Sequence, residues 1–353
     1  MAQINRPTDY FNTVLYAGDN STSNAITGVG FQPDLVWIKN RSAASSQLFQ
    51  DSVRGKSGSN YLNLQANDTA AEAAQGDDDG LNTIGSDGFT VGYTNSVGWN
   101  ASGNNYVSWN WLAGGTASSN TDGSITSQVS ANTTSGFSIV SYTGTGSVAT
   151  VGHGLGVAPS VMIFKNRIDV TNWVVYNKSL GATKYLFLQD TTPAGTLNTV
   201  FNDTEPTSSV FTVGTSGTTN GSGDGMIAYC FAEKKGFSKV GSYTGNGNAD
   251  GPFIYTGFKP AFIITRPIGN VSSWNVTDVK RSTYNDGSLE RFKVNLSDGE
   301  SSSPNYDILS NGFKIRTTDN DYNPTGFAVN KVIYMAFAEN PLVGTNNIPA
   351  TAR

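Results

Sequence analysis

The sequence contains one cysteine and one histidine, and each scarcity excludes a class of site. With Cys230 alone, no disulfide can form within the chain. With His153 alone, no metal site that needs several histidines can be built from one chain. His153 is also the only side chain whose unperturbed pKa lies near neutrality. We therefore expect no cofactor, and stability that comes from packing.

Charge is scarce as well. Asp, Glu, Lys and Arg make up 14% of the 353 residues, against ~25% in an average domain, and the net charge is −5. High net charge therefore cannot drive disorder, and the 11% of aromatic residues can form a core. The sequence has no basic block to bind nucleic acid. It has no run of about 20 apolar residues to span a bilayer and no apolar leader at its start. We expect neither a nucleic-acid nor a membrane partner.

Short runs rich in β-branched and aromatic residues, separated by Asn, Asp, Ser and Gly, dominate the sequence. Residues 34–38, 137–142 and 331–337 are examples. Such runs are typical of strands, and many short strands favour an all-β sandwich or barrel. The most helix-like segment, residues 69–75, predicts at most one short helix because Gly76 follows it at once.

A Gly-x-x-Pro motif followed by an apolar strand occurs three times. The copies are Gly30–Pro33, Gly156–Pro159 and Gly257–Pro260. Six residues after each proline stands a cation: Lys39, Lys165 and Arg266. Fourteen residues after the prolines stand Gln47, Trp173 and Trp274. A phenylalanine anchor follows at Phe89, Phe211 and Phe313, and then an aromatic strand through Trp109, Tyr229 and Tyr334. Recurrence at near-constant spacing predicts an internal triplication.

We therefore predict an all-β fold of three tandem β-sandwich, jelly-roll-like domains at 10–112, 136–235 and 236–341. Residues 1–9 form an N-terminal arm, and 342–353 form a tail that is extended or disordered alone. Residues 113–135 are polar and turn-rich, so they form a linker or an added edge segment. Alternating apolar residues in each strand should place one face on a core. The aromatic residues of each final strand should fill it.

Few residues point to catalysis. His153 stands between two glycines, which favours a turn residue over a general base, and no Gly-x-Ser-x-Gly elbow precedes it. Cys230 lies between two aromatic residues in a strand and is expected to be buried. The acidic runs 77–80 and 319–323 offer oxygens to Ca²⁺, but Pro324 and Asn330 stand where an EF-hand has Gly and Glu. Turn-forming acidic loops are the favoured interpretation, and a catalytic carboxylate pair stays open.

Three stretches have a distinctive sequence: residues 28–42, 106–115 and 153–159. Together they resemble a repeat family of virion structural proteins from tailed phages, especially phages of marine bacteria and cyanobacteria. The third repeat departs from the pattern, because it keeps Gly257–Pro260 but lacks the Asn-Arg pair that follows Lys39 and Lys165. The resemblance implies a location on the exterior of the virion, as a tail-fibre-like or decoration protein. It implies no catalytic residue.

We accordingly expect a non-enzymatic structural component of the virion that assembles with other virion proteins and forms a homo-oligomer. Closed symmetry protects sheet edges, and the resemblance to phage fibre and decoration proteins, which are commonly trimers, makes a trimer the first expectation. The alternatives are a carbohydrate-binding adhesin at an appendage tip and a glycan-cleaving enzyme. Two loops before the final strands carry aromatic residues that the core pattern does not require, Trp99 and Tyr322. We expect both at exposed loop tips, in contact with a partner subunit or a surface glycan; the alternative is that each packs on its own domain.

Overall fold

Nearly all the regular structure is antiparallel β-sheet, as the sequence predicts. The computed structural model describes residues 3–74, 76, 79–93, 98–282, 285, 288–303, 306–344 and 349–351. Helix is confined, in these ranges, to a 3₁₀ turn at Pro7–Asp9 and two single turns, α1 (Asn198–Phe201) and α2 (Gly217–Asn220). Residues 69–74 contain no helix, and Ala73 instead forms a bridge with Asn63; Gln75 lies outside the described residues.

The strands fall into three groups along the chain, which we call the first, second and third segments. The first segment contains β1 (Phe11–Ala17), β2 (Asn24–Thr27), β3 (Leu35–Asn40), β4 (Leu48–Asp51), β5 (Lys56–Ser57), β6 (Asn60–Tyr61), β7 (Leu64–Gln65), β8 (Gly80–Gly85), β9 (Gly88–Gly92) and β10 (Asn105–Trp111). The second contains β11 (Ser118–Asn120), β12 (Ser127–Asn132), β13 (Phe137–Thr143), β14 (Ala149–Gly152), β15 (Val161–Asn166), β16 (Val174–Asn177), β17 (Lys184–Phe187), β18 (Gly195–Thr196), β19 (Val210–Val213) and β20 (Gly225–Phe231). The third contains β21 (Ser238–Thr244), β22 (Phe253–Tyr255), β23 (Phe258–Pro267), β24 (Asn275–Asp278), β25 (Leu289–Lys293), β26 (Ser301–Ser303), β27 (Tyr306–Leu309), β28 (Gly312–Ile315) and β29 (Lys331–Pro341).

Each segment forms a large sheet and a small sheet. The large sheets have the orders β1-β10-β3-β4-β7, β11-β12-β13-β20-β15-β16-β17-β18 and β21-β29-β23-β24-β25-β26. The small sheets have the orders β2-β9-β8, β14-β19 and β22-β28-β27. In every large sheet the last strand lies between the strand that opens the predicted repeat (β1, β13 or β21) and the strand at the Gly-x-x-Pro motif (β3, β15 or β23). One residue separates Pro33 from β3 and Pro159 from β15, whereas Pro260 lies inside β23 at a register shift.

At the centre of each large sheet both faces are buried, so the expectation of one buried face is incomplete. All six residues of β3 are buried. Val36 and Ile38 pack in an outer core beneath the small sheet of the first segment, with Phe89 and Tyr106. Equivalent outer cores lie beneath the other two small sheets. Trp37 points the other way, into a core that all three segments share.

This central core is built from large aromatic and aliphatic side chains of all three segments. Ring pairs across segments are Phe11 with Phe337 at 5.0 Å, Trp37 with Phe262 at 6.3 Å and Phe49 with Trp173 at 5.5 Å between centroids. Aromatic side chains bury a large area each, so this core ties the three large sheets into one body. The final strands do supply core aromatics, but the register pairs Ile264 with Met335, as it pairs Trp37 with Trp109. Met335 rather than Tyr334 is therefore the third-segment counterpart of Trp109 in the central core.

The connecting stretches are also packed. Ile4 of the N-terminal arm is buried in the central core, and its N–H donates to the carbonyl of Lys235. Residues 113–135 contribute β11 and β12 to one edge of the second large sheet. Of a linker and an added edge segment, the two interpretations of these residues, this arrangement corresponds to the second. In the tail, Val343 forms a bridge with Pro349, while residues 345–348 and 352–353 lie outside the described residues.

Candidate functional site

Trp99 and Tyr322 are both buried, so the expectation that they lie at exposed tips is wrong. Trp99 packs into the outer core of the first segment. Tyr322 packs edge-on against Tyr306 at 5.3 Å in the third, and its hydroxyl accepts a hydrogen bond from Arg291 Nη1 at 3.2 Å. Burial raises the pKa of Tyr322 although Arg291 opposes the shift. Residues 94–97 of the first loop lie outside the described residues.

The two positions share a structural role with Thr219 of the second segment. The backbone carbonyls of all three accept hydrogen bonds from tyrosine hydroxyls, those of Tyr16, Tyr142 and Tyr243. The residue that follows each of them is a buried asparagine. Its Oδ1 accepts a backbone N–H from the loop after β1, β13 or β21. These asparagines are Asn100, Asn220 and Asn323. An asparagine nine to eleven residues after each phenylalanine anchor was the missed signal.

His153 and Cys230 are buried. The Nδ1 atom of His153 accepts the N–H of Leu155 at 3.2 Å, and Nε2 lies 3.2 Å from the carbonyl of Thr207. These partners fit a neutral ring protonated on Nε2, and burial lowers the pKa of His153. Burial raises the pKa of Cys230 to about 12, so its thiol is protonated and unreactive at neutral pH.

The acidic run 319–323 lies beside cations. Asp321 lies 3.1 Å from Lys293 Nζ, and Asp319 lies 3.8 Å from Arg291. Asp77 and Asp78 lie outside the described residues. In the part of the chain that the structure describes, no three His, Cys, Asp or Glu side chains group as metal ligands, and no helix is long and apolar enough to cross a bilayer.

The contacts between segments use the residues that the repeated motif singled out. Lys39, Lys165 and Arg266 are fully buried at the ends of equivalent strands. Lys39 Nζ donates to the carbonyl of Ser297 at 2.8 Å, and Lys165 Nζ donates to that of Thr69 at 3.0 Å. The first segment thus bonds to the third, and the second to the first.

Arg266 completes the cycle, because its Nη2 donates to the carbonyl of Thr192 at 2.7 Å and so joins the third segment to the second. Burial, only partly offset by nearby carboxylates, lowers the pKa of Lys39 and of Lys165 to about 8 and that of Arg266 to about 10. Burying a cation is costly unless donors find partners, and here backbone carbonyls supply them for both lysines and for Arg266 Nη2. Within the described residues, Arg266 Nε and Nη1 are buried without a hydrogen-bond partner.

A second cycle runs through the residues fourteen positions after the prolines. Trp173 Nε1 donates to the carbonyl of Gln65 at 2.9 Å, and Trp274 Nε1 donates to that of Phe187 at 2.8 Å. Gln47 takes the same place with its amide, which donates to the carbonyl of Lys293 at 2.8 Å. The same three pairs of segments are joined, so an amide side chain replaces an indole without loss of the bond.

Two of the three contacts also contain a buried charged network. The Glu72 network joins the first and second segments and comprises Asp51, Arg54, Glu72, Arg167 and Tyr229. Arg54 Nε donates to Asp51 at 2.5 Å and its Nη1 to Glu72 at 3.1 Å, while Arg167 grips Glu72 with two nitrogens. Burial would lower the pKa of Arg54, but Asp51, Tyr229 and Glu72 outweigh it and raise that pKa.

The Glu300 network joins the first and third segments with the same geometry. It comprises Asp278, Arg281, Glu300, Arg41 and Trp109. Arg281 Nε donates to Asp278 at 2.5 Å and its Nη1 to Glu300 at 3.0 Å, and Arg41 Nη2 reaches Glu300 at 2.7 Å. Trp109 Nε1 donates to Asp278 at 3.0 Å, as the Tyr229 hydroxyl does to Asp51 at 2.7 Å.

The contact between the second and third segments keeps the backbone geometry but not the charges. Ala194 N–H donates to the carbonyl of Ile268 at 3.0 Å, as Glu72 donates to that of Arg167 and Glu300 to that of Arg41. The place of the aspartate is taken by Asn177, that of the arginine three residues later by Leu180, and that of the Tyr229 or Trp109 side chain by Met335. A cavity of about 20 Å³ lies here, lined mainly by apolar side chains that include Ile264 and Met335. The third segment has Pro267 and Ile268 where the Asn-Arg pair stands in the other two, so it lacks the arginine that Arg41 and Arg167 supply to the two networks.

The sheets define a class: an all-β protein in which three antiparallel sheet pairs close on one shared core. Residues 6–341 match the family model described as a domain of unknown function (DUF7483), and the chain belongs to that family. Searches of curated proteins and of solved structures found no match.

Proposed function

We propose that the chain is three copies of one β-sandwich arranged around an approximate three-fold axis, and that this three-lobed body is a non-enzymatic structural component of a tailed-phage virion. The recurrence of strand order in the large sheets supports the triplication. So do the two cycles of hydrogen bonds, each of which joins the same three pairs of segments.

The observation that carries the structural role is the use of the distinctive side chains for internal contacts. The buried cations, the indoles and both charged networks join one segment to another. His153, Trp99 and Tyr322 are buried within single segments. A chain that uses its distinctive polar side chains to hold its own segments together suits a particle component that must persist outside a cell without disulfides. The resemblance of residues 28–42, 106–115 and 153–159 to virion proteins supports a location in the virion.

The expected homotrimer stays a prediction. One chain already makes, between its own segments, the contacts that a trimer of single sandwiches would make between subunits. Assembly with other virion proteins then uses outer surfaces, away from the central core. The binding role proposed for Trp99 and Tyr322 is dropped, since their side chains are not on that surface.

Purified particles of the source phage test the location. We expect quantitative mass spectrometry to find this 37.3 kDa chain in particles banded on a density gradient, at a fixed copy number. We expect a density map of the intact particle to show a three-lobed body on the exterior. A chain that is absent from banded particles, or present only in lysates, would contradict the proposal.

The alternative of a carbohydrate-binding adhesin rests on one observation, the two exposed aromatic residues Phe253 and Tyr255 of β22. Exposed rings stack on sugars, so the adhesin predicts that purified protein blocks adsorption of the phage to its host. A decoration protein predicts no such competition.

A further inference from the structure

The outer edges of the three small sheets differ, although their strands are equivalent. Ile26, Val151 and Ile254 point inward and pair with the phenylalanine anchors Phe89, Phe211 and Phe313. The residues on either side of them differ in kind: Ala25 and Thr27 in β2, Thr150 and Gly152 in β14, Phe253 and Tyr255 in β22. An exposed strand edge is a template for pairing with another chain, so each edge needs protection.

The chain covers the edge of β14 itself. Ile125 N–H donates to the carbonyl of Thr150 at 3.0 Å, and Thr150 N–H donates to Ser124 Oγ at 2.9 Å. Ser127 Oγ donates to the carbonyl of Gly152 at 3.0 Å. An added segment thus satisfies the outward backbone groups of this edge.

The edge of β22 has no such cover. It is the outermost strand of its sheet, and no other strand in the described ranges pairs with its free side. Pro252 and Thr256 bond toward β28, through the N–H of Ile315 and the carbonyl of Asn311. Because alternate residues of an antiparallel pair point to opposite edges, the N–H and carbonyl groups of Phe253 and Tyr255 face the free side.

The side chains on this edge are aromatic and open. Phe253 is 46% exposed and Tyr255 is 58% exposed, and they project on one face since they are two residues apart. Glycines lie beside the rings: Gly312 beside Phe253 and Gly257 beside Tyr255. The edge of β2 presents Ala25 and Thr27 instead, which offer little apolar area. Exposed aromatic residues beside unused backbone groups mark an interface.

We propose that β22 is the docking edge for a second copy of this chain, paired antiparallel about a two-fold axis at Ile254. The edge is self-complementary, because this register places Phe253 opposite Tyr255 of the partner copy and Tyr255 opposite its Phe253. Both residues of each pair direct N–H and carbonyl groups outward, which gives four hydrogen bonds, and aromatic rings meet across the strands. The two three-stranded sheets become one of six strands. The inference does not depend on a virion location.

Sedimentation velocity and light scattering of the full chain, over a range of about 1 to 200 µM, test the dimer. We expect a reversible rise in mass from 37.3 kDa toward twice that value. Phe253→Lys with Tyr255→Lys should keep the chain monomeric throughout. The matched control, Ala25→Lys with Thr27→Lys on the equivalent first edge, should dimerise like the wild type.

A backbone variant separates pairing from ring burial. Phe253→Pro removes an N–H that points to the free side and leaves the bonds toward β28 intact, so its thermal melt should match that of Phe253→Ala. It should weaken dimerisation more than Phe253→Ala does, because it also removes two hydrogen bonds, one in each symmetric pair. The amide of Phe253 should exchange more slowly with solvent as concentration rises.

Three outcomes overturn the proposal. The first is a wild-type chain that stays monomeric over the whole range. The second is a dimer that survives the double lysine substitution in a chain that melts normally. The third is a monomeric chain that binds a glycan and loses that binding in Tyr255→Ala, which would assign the rings to the adhesin function.

Discussion

Two contacts between the segments contain a charged network, and the third has mainly apolar side chains in its place, on one backbone plan. Where the first segment meets its neighbours, Glu72 and Glu300 each lie between two arginines. Where the second meets the third, Ala194 takes the place of the glutamate. The hydrogen bond from the backbone N–H at this position is kept in all three. The difference teaches that backbone pairing, not charge, is the constant element of the contact.

Because only two of the three contacts contain a charged network, the three contacts differ in which neighbouring segment they accept. Buried ion pairs repay the loss of hydration only with good geometry, so they add little net stability but penalise mismatched neighbours strongly. A segment that carries Asp51, Arg54 and Glu72 cannot pack against Ile268 and Met335 without depriving Glu72 of its second arginine, Arg167. We infer that the networks fix which segment lies beside which, while the central core provides most of the cohesion.

The largest effect should follow from removing one arginine. Arg54→Leu, or its counterpart Arg281→Leu, leaves two buried carboxylates without their shared cation, and we expect unfolding free energy to fall by about 3–5 kcal/mol. Chemical denaturation measures it. Arg6→Leu, at an exposed ion pair with Asp9, is the control and should change stability by less than about 1 kcal/mol. A loss below about 1 kcal/mol in both core variants would show that the networks are dispensable.

A smaller effect should appear with pH at the contacts that use lysine. In the folded chain Lys39 and Lys165 lose their protons near pH 8, whereas an unfolded lysine keeps its proton to about 10.5. The unfolded state therefore binds more protons between these values, and unfolding free energy rises with pH. Integrated from about pH 7.5 to 9, each lysine contributes roughly 1 kcal/mol of this rise.

The slope of unfolding free energy against pH is the measurement. Lys39→Met removes one titrating group, so its slope should be lower than that of the wild type by roughly half of the lysine contribution. The substitution also changes the unfolding free energy at every pH, because the carbonyls of Ser45 and Ser297 lose their donor, so only the slopes are compared. Equal slopes in the two proteins would show that Lys39 titrates normally.

The smallest change should come from replacing a whole network. The variant Asp51→Asn, Arg54→Leu, Glu72→Ala, Arg167→Ile and Tyr229→Met gives the first contact the residues of the apolar one. We expect its unfolding free energy to lie within about 1 kcal/mol of the wild type or above it, because no buried charge is left unpaired. Calorimetry and denaturation both report it. A loss as large as that of Arg54→Leu would mean that the network itself contributes the stability.

The all-β class could be predicted from the short β-branched runs, and the repeated motif located the buried cations Lys39, Lys165 and Arg266 before their contacts were known. Their partners could not be predicted, because Ser297, Thr69 and Thr192 are unremarkable loop residues far away in sequence. The exposure of Trp99 was misjudged for a related reason. An aromatic residue in a loop is expected to be exposed. Burial of Trp99 could be predicted only if the adjoining Asn100, which holds this loop through its hydrogen bonds, were recognised as a recurring residue.

The position of Met335 shows a second limit. Spacing from Phe313 favoured the aromatic Tyr334, but the sheet register places Met335 in the central core. A shift of one residue moves a side chain to the other face of a strand, and spacing alone does not resolve it. At the apolar contact the correct residue is the one without an aromatic ring.

The separation of Arg41 and Glu300, 259 residues apart in sequence, sets the order in which the protein can be completed during synthesis. Trp37 and Trp109 emerge early, yet Phe262 and Phe292, which cover them, are made much later. A nascent chain must carry these indoles uncovered until the final third of translation. Ribosome-bound chains that stop before residue 262 should therefore bind chaperones. The chain should leave the chaperones when the third segment packs against the other two.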